Sequence, residues 1–293
     1  MDKRNFIKYI TSLLLFGSNG IASHYIHLTS VEIVLLRTLI GGAFITSLFL
    51  FSNKKFTFYK YKKDFVFLFL SGVSLGLGWL FLFEAYKQIG VSLGTLIYYF
   101  GPAIVMVTSP FVFKEKLSVI KFFGFIVVLI GLYLINNKIT NDTNIFGLIC
   151  GFASAFMYML LIYSNRFIKN IKGLENIIFQ LFFAFLTIIT FKIIVSGISI
   201  DIKINDLPYI LYLCVINTGI GCYLYFTSIS ELPIQTVAVC GYIDPLSALI
   251  FSSIFLKENL SFIQIIGAIC IFSGVLFTEL IEINGMKKIK NHT

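Results

Sequence analysis

Charge is scarce in this sequence, since only 13% of its 293 residues are Asp, Glu, Lys or Arg, against about 25% in ordinary soluble domains. Tryptophan occurs once, whereas phenylalanine occurs 33 times, and hydrophobic residues make up 58% of the chain. A soluble protein of this size would have to bury nearly all of that excess or expose it in large patches. Together with a mean hydropathy of +0.92, the composition excludes an ordinary soluble domain and indicates a chain that lies almost entirely in a membrane.

The residues that enzymes and metal sites require are also sparse. There are three histidines, and the five cysteines all fall inside apolar runs, with a spacing that matches no zinc pattern. No P-loop, nucleophile motif or dinucleotide-binding motif is present. We therefore expect no enzymatic activity, no cofactor and no metal. The net charge of +9 comes from basic residues between the apolar runs, so we expect a lipid bilayer as partner and no nucleic acid.

Ten apolar stretches are long enough to cross a bilayer as helices, which needs about 20 residues each. We number them spans 1 to 10, and they cover residues 6–26, 31–51, 65–86, 91–113, 117–135, 145–165, 174–196, 208–229, 235–256 and 260–281. If the N-terminus lies inside, the inner segments hold 17 Lys and Arg residues and the outer segments 5. By the positive-inside rule, both termini are predicted to be cytoplasmic.

The chain also contains an internal repeat at an offset of 143 residues. Residues 101–131 align without gaps on residues 244–274, with ten identities that include Pro102 on Pro245. The pairs Lys114-Glu115 and Lys257-Glu258 also match. We therefore predict two units, residues 1–138 and 139–293, with five spans each.

Five is an odd number of spans, so the second repeat must enter the membrane with the opposite orientation to the first. Inverted repeats are the architecture of secondary transporters, which place their binding site near the midplane between the two halves. The sequence thus predicts an all-α membrane protein of ten transmembrane helices in two inverted five-helix repeats.

The two matching runs resemble those of a known family. They read FGPAIVMVTSPFVFKEKLSVIKFFGFIVVLIG and YIDPLSALIFSSIFLKENLSFIQIIGAICIFSG, and this paired pattern is similar to that of EamA-type proteins of the drug/metabolite transporter superfamily. The resemblance covers essentially the whole chain. It implies a transporter of small metabolites, with amino-acid export as the leading expectation. The Ile-, Lys- and Asn-rich composition is typical of an AT-rich prokaryotic genome, so we expect a multi-pass protein of the plasma membrane.

Asp244 is the sharpest candidate for a substrate-binding residue. It lies near the middle of span 9, where an aspartate costs about 2.5–3.5 kcal/mol on insertion scales. Its carboxylate would meet an amine or a transported proton, or it would bond to a neighbouring helix or to Arg37. Next to it, Pro245 and its equivalent Pro102 each remove a backbone donor, and we interpret them as hinges or as fixed kinks.

Further candidates come from aromatic and polar residues within the spans. Arg37, in span 2, either clamps a substrate carboxylate, or snorkels to the outer surface, or forms a structural ion pair. The amide of Asn19 in span 1 must find hydrogen bonds within the bundle or with substrate. The rings Trp79, Tyr98, Tyr158 and Tyr242 would line a stacking or cation-binding pocket, or simply pack the bundle.

Three functions therefore remain open at this point. The first is a carrier that exports amino acids or other metabolites by alternating access, in which Asp244 meets either the substrate amine or a coupled proton. The second is uptake of choline or another cationic amine by the same fold. The third is a membrane scaffold that transports nothing. Arg37 should matter for an amino acid and not for choline, which has no carboxylate.

Overall fold

The computed structural model describes residues 3–52, 55–89, 94, 97–114, 119–135, 144–197, 199–255, 261–263 and 265–274. Within these ranges every regular element is helical. The longer helices are Lys3–Gly17, Asn19–His24, Ser30–Phe51, Lys62–Ile89, Phe100–Phe113, Val119–Ile135, Ile145–Phe167, Leu174–Ser196, Gly221–Ile229, Ile234–Cys240, Ile243–Phe255 and Ile265–Gly274. Short 3₁₀ turns at Phe58–Lys60 and Ile204–Asp206, a helical turn at Leu207–Leu211 and a π-helix at Tyr212–Ile220 complete the set.

Six of these helical stretches are long and apolar enough to cross a membrane, and they correspond to spans 2, 3, 6, 7, 8 and 9. Shorter apolar helices mark spans 4, 5 and 10. The all-helical membrane fold is therefore confirmed, while the number ten and the side on which the termini lie stay predictions. Glu115 and the Lys257-Glu258 pair of the repeat lie outside the described residues.

Local sequence explains where several spans begin. Span 2 starts with a capping box: the Thr29 hydroxyl accepts the Glu32 N–H at 3.4 Å, and the Glu32 carboxylate accepts the Thr29 N–H at 2.9 Å. Span 6 starts behind Asn144, whose side chain accepts the Phe146 N–H at 2.9 Å. These bonds satisfy backbone donors that the first turn of a helix leaves without partners.

Four spans are interrupted or irregular near the middle of the bundle. Span 1 breaks at Ser18, span 8 carries the π-helix, and spans 4 and 9 turn at Tyr99 and at Gly241. The turns in spans 4 and 9 come just before Pro102 and Pro245, so the two repeats break at equivalent places. The Gly241 carbonyl, four residues before Pro245, is not left free, because it accepts the Asp244 N–H at 3.2 Å. Irregular backbone at membrane depth is tolerated where it faces protein or a wet cavity.

The two repeats pack against each other in matched pairs. Span 3 packs on spans 6 and 7, span 2 packs on spans 7 and 8, and span 1 packs on spans 8 and 9. The approach of spans 3 and 7 depends on Gly72, because a Cβ there would lie 2.7 Å from the Gln180 carbonyl oxygen. The core thus lies on the interface between the halves.

Near each membrane face, a carboxylate at the start of the third span of one repeat binds the other repeat. Asp64 accepts the N–H groups of residues 169, 170 and 171 at 3.0, 2.5 and 3.3 Å. Asp206 accepts the His27 N–H at 2.8 Å and contacts the His27 Nδ1 at 3.0 Å. Because His27 and Asn170 are 143 residues apart, these two contacts are equivalents under the repeat.

Candidate functional site

The centre of the bundle holds Asp244, which begins the second half of span 9. Its carboxylate accepts a hydrogen bond from the hydroxyl of Tyr99, which stands at the break in span 4. The Asp244 side chain is half-buried, so part of its surface remains accessible. The two broken spans, one from each repeat, therefore bring a carboxylate and a phenol together at the interface.

A group of tyrosines surrounds this carboxylate. The Tyr158 hydroxyl is within hydrogen-bonding range of the hydroxyls of Tyr9 and Tyr225, and it lies close enough to Asp244 to interact electrostatically. The Tyr98 ring meets the Tyr158 ring edge-on, with 5.7 Å between centroids. Tyr98 and Tyr158 are both half-buried, so both rings keep accessible surface.

The repeat explains why there is room for Tyr158. Gly101 is the equivalent of Asp244, and a Cβ at Gly101 would lie 2.8 Å from the Tyr158 ring. The ring of Tyr158 therefore occupies the place where the first repeat would otherwise hold a side chain. The site thus holds a carboxylate at position 244, and the ring of Tyr158 fills the symmetry-related place beside Gly101.

Arg37 supplies the positive charge of the site. Its side chain is only 5% exposed, with Nε donating to the Thr218 hydroxyl at 2.9 Å and Nη2 to Asn217 Oδ1 at 3.4 Å. The guanidinium lies over the Trp79 ring, 4.7 Å from its centroid. The snorkelling interpretation of Arg37 is therefore wrong, since the side chain points into the bundle.

Arg37 and Asp244 lie close enough to interact electrostatically. They form no ion pair within 4 Å, and neither does Arg37 with any other acidic side chain that the structure describes. Burying a charge without an opposite partner is costly. A ligand with a carboxylate would supply the missing partner.

The remaining sequence-predicted residues take two different places. Tyr242 is fully buried, and its hydroxyl donates to the Tyr99 carbonyl at 2.7 Å, so it lies behind Tyr99. Asn19 follows the break in span 1, and its Oδ1 is the one buried side-chain polar atom without a partner in the described part of the chain. Such an atom is unfavourable unless a ligand or water donates to it.

The structure also brings in residues that sequence reasoning missed. Tyr9 lies in span 1, and its buried hydroxyl donates to the Val237 carbonyl at 2.7 Å, which ties the start of the chain to span 9. Asn217 and Thr218 lie in the π-helix and hold Arg37. The polar pair Asn217-Thr218 inside an apolar run could have indicated a functional position in span 8. The π-helix that orients the two side chains toward span 2 has no evident sequence signature.

Groups of three or more His, Cys, Asp or Glu side chains that could hold a metal ion are not found among the described residues. What the site offers instead is a separated pair of opposite charges between aromatic rings, at the interface of two halves with broken helices. These features are typical of membrane carriers. The fold and site thus define the class of protein as a membrane transporter.

Comparison with known proteins is consistent with this class. The model of the EamA-like transporter family matches residues 6–137 and again residues 144–280, so the chain belongs to the EamA-like transporter family. The uncharacterized transporter YxxF of Bacillus subtilis is 26% identical over 93% of this chain and 88% of its own length. The uncharacterized inner membrane transporter YicL of Salmonella typhimurium is 21% identical over 95% of this chain and 96% of its own.

One solved crystal structure superposes with a TM-score of 0.83 over 96% of this chain and 99% of that protein, at 17% sequence identity. At this identity the likeness shows the fold alone. The names of the relatives indicate a transporter rather than an enzyme, and they specify no substrate.

Proposed function

We propose that the protein is a secondary transporter that exports small metabolites, with amino acids as the leading class, by alternating access. The observation that carries the proposal is the pair of opposite charges at the centre. Arg37 comes from the first repeat and lies beside Trp79. Asp244 comes from the second repeat and lies beside Tyr99 and Tyr158. The two charges are close enough to interact electrostatically and form no ion pair with each other. An amino acid is a zwitterion, so its carboxylate would complement Arg37 and its ammonium group Asp244.

The aromatic residues suit the rest of such a substrate. Tyr98 and Tyr158 meet edge to face beside Asp244, and Trp79 covers the guanidinium. Rings of this kind provide apolar contact for a side chain and an electrostatic contact for an ammonium group. Asn19 Oδ1, which has no partner, would accept a hydrogen bond from a polar substrate group.

Alternating access requires elements that can change shape. The breaks in spans 4 and 9 precede Pro102 and Pro245 at equivalent places in the two repeats, and we assign the prolines as hinges. Rocking of one repeat against the other about these points would expose the centre to either side of the plasma membrane in turn. Asp244 would carry a proton when it carries no ammonium group, which would couple transport to pH.

The second candidate is uptake of choline or another cationic amine. It is favoured by the position of the Asp244 carboxylate among Tyr99, Tyr158 and Tyr98, because a carboxylate within aromatic rings is well suited to a quaternary ammonium group. This candidate gives Arg37 no role. A membrane scaffold without transport, the third candidate, gives no role to either charge.

The test is transport into proteoliposomes of the purified protein, with a panel of radiolabelled L-amino acids beside choline, with and without a pH gradient. Arg37→Gln and Asp244→Asn each remove one charge, and Lys60→Gln and Asp201→Asn remove matched charges at exposed positions. We expect amino-acid flux that is lost in both site variants and kept in both controls.

Other outcomes decide between the candidates. Choline flux alone, abolished by Asp244→Asn and unchanged by Arg37→Gln, would replace the amino-acid proposal with an amine carrier. Absence of flux for every substrate, with folded protein, would favour the scaffold. Flux that does not equilibrate without the pH gradient would assign a proton to Asp244.

A further inference from the structure

The outer part of span 1 is separated from the rest of the span by the break at Ser18. The Leu15 carbonyl at this break accepts three hydrogen bonds, from the Ser18 N–H at 3.1 Å, the Ser18 hydroxyl at 2.6 Å and the Asn217 side-chain amide at 2.5 Å. The segment beyond it, Asn19–His24, is a short helix of six residues. One side chain from span 8 of the other repeat therefore helps to hold the break.

Asn217 also reaches Arg37 with its other end. Its Nδ2 donates to Leu15 and, at 3.3 Å, to the Ser18 hydroxyl, while its Oδ1 accepts from Arg37 Nη2 at 3.4 Å. The Asn217 side chain is fully buried, so these protein groups take the place of water. A single amide thus connects the charge of the site to the break in span 1.

The π-helix sets this geometry. Thr218 donates its hydroxyl proton to the carbonyl of Leu213, five residues back, at 2.8 Å, and accepts from Arg37 Nε. Both residues lie in the π-helix Tyr212–Ile220, and π-helical turns are rare and occur frequently at functional sites. The irregular turn therefore presents Asn217 and Thr218 side by side to the guanidinium.

The place that the repeat makes equivalent has no such connection. At the offset of 143 residues, Gln180 takes the place of Arg37 and Ser74 the place of Asn217. Gln180 is fully buried and bonded to neutral side chains, including Ser71 at 2.5 Å and Asn165 at 2.9 Å. The charge, and with it the capacity to bind an anion, is present in one half only.

We propose that Asn217 is a positioning residue that couples the binding of a substrate carboxylate at Arg37 to the position of segment Asn19–His24. This inference rests on the proposed amino-acid function. A carboxylate forms charge-assisted bonds with a guanidinium that are shorter and stronger than the 3.4 Å contact to the Asn217 amide. When the guanidinium is drawn to the carboxylate, Asn217 follows it through the Nη2–Oδ1 contact and keeps it oriented. The hold of Asn217 on Leu15 then changes, and the outer segment of span 1 moves.

The first experiment compares Asn217→Ala, Asn217→Asp and Asn217→Gln with Ser74→Ala, the equivalent position of the first repeat. In proteoliposomes, L-leucine is the transported substrate, and 3-methylbutylamine, which differs from it only by lacking the carboxylate, is its competitor. We expect Asn217→Ala to raise KM for L-leucine about tenfold, the factor that corresponds to about 1.4 kcal/mol of lost interaction, with kcat nearly unchanged and the amine affected less than twofold.

The other variants separate positioning from folding. Asn217→Asp places a carboxylate on Arg37, so it should abolish L-leucine binding and spare the amine. Asn217→Gln keeps the donor and the acceptor of the amide, so its KM for L-leucine should lie between those of the parent protein and of Asn217→Ala. Ser74→Ala should have the KM of the parent protein. Equal losses for acid and amine in all Asn217 variants would overturn the proposal, because they would indicate a structural role only.

A second experiment observes the segment directly. Tyr25 follows the segment and is 40% exposed, so Tyr25→Cys in a variant without the five native cysteines offers a reporter for a membrane-impermeant maleimide. L-leucine should change the rate at which the maleimide labels this reporter at least about threefold, and 3-methylbutylamine should not. Asn217→Ala should remove the response to L-leucine. Amino-acid flux with a labelling rate indifferent to L-leucine would refute this coupling alone, whereas absence of amino-acid flux would refute the proposed function.

Discussion

Replacing Asp64 tests whether its contact with residues 169–171 holds the two repeats together. Asp64 is 6% exposed and accepts three backbone N–H groups of residues 169–171, which lie between spans 6 and 7. Asp64→Ala would leave these donors without their charged acceptor. Each unsatisfied donor costs about 1–3 kcal/mol, and water at the membrane surface would replace part of the loss, so we expect a total near 3 kcal/mol.

The measurement is thermal unfolding in detergent, followed with a thiol-reactive fluorophore. Cys150, Cys214, Cys222 and Cys240 are buried, so their reaction reports the loss of tertiary structure. At about 2 °C per kcal/mol for a chain of this size, Asp64→Ala should lower Tm by about 6 °C. Asp64→Asn, which keeps one neutral acceptor, should lower it by roughly half as much.

The matched control is Asp201→Ala, which removes an aspartate from an exposed position of the loop before span 8. A Tm for Asp64→Ala within 1 °C of that control would refute the reasoning. It would mean that the three bonds to residues 169–171 make no net contribution to the free energy of unfolding. Loss of transport without a change in Tm would instead assign Asp64 to the movement of the repeats.

Three further predictions concern the interface of the halves. Asp206→Ala removes two contacts to His27 rather than three backbone bonds, so in the same unfolding assay it should lower Tm by less than Asp64→Ala. Gly72→Ala should lower Tm by several degrees because its Cβ meets the Gln180 carbonyl oxygen at 2.7 Å, whereas Gly42→Ala, with its nearest atom at 3.7 Å, should be tolerated. Pro102→Ala and Pro245→Ala should each slow proteoliposome transport severalfold while leaving Tm within about 2 °C, and normal rates in both would refute the hinge assignment.

Much of the fold could be predicted because it rests on patterns that repeat along the chain. Continuous apolar runs mark spans, and the match of Pro102 to Pro245 places the breaks of spans 4 and 9 at equivalent positions. The break at Ser18 was not predicted, although Gly17, Ser18 and Asn19 are weak helix formers. It depends on Asn217, which is 202 residues from Leu15, and single-sequence patterns carry no information on such a contact.

The candidate site was found where the two repeats differ, and the structure gives the physical reason. If the two repeats are inverted, as the sequence predicts, equivalent residues lie on opposite sides of the centre, and a pair of identical side chains cannot distinguish the two ends of a substrate. Asp244 faces Tyr158 in the space that Gly101 leaves open, and Arg37 has the neutral Gln180 as its equivalent. A small molecule with a positive and a negative end can be oriented only by such departures from symmetry, which makes the unmatched positions the ones to substitute first.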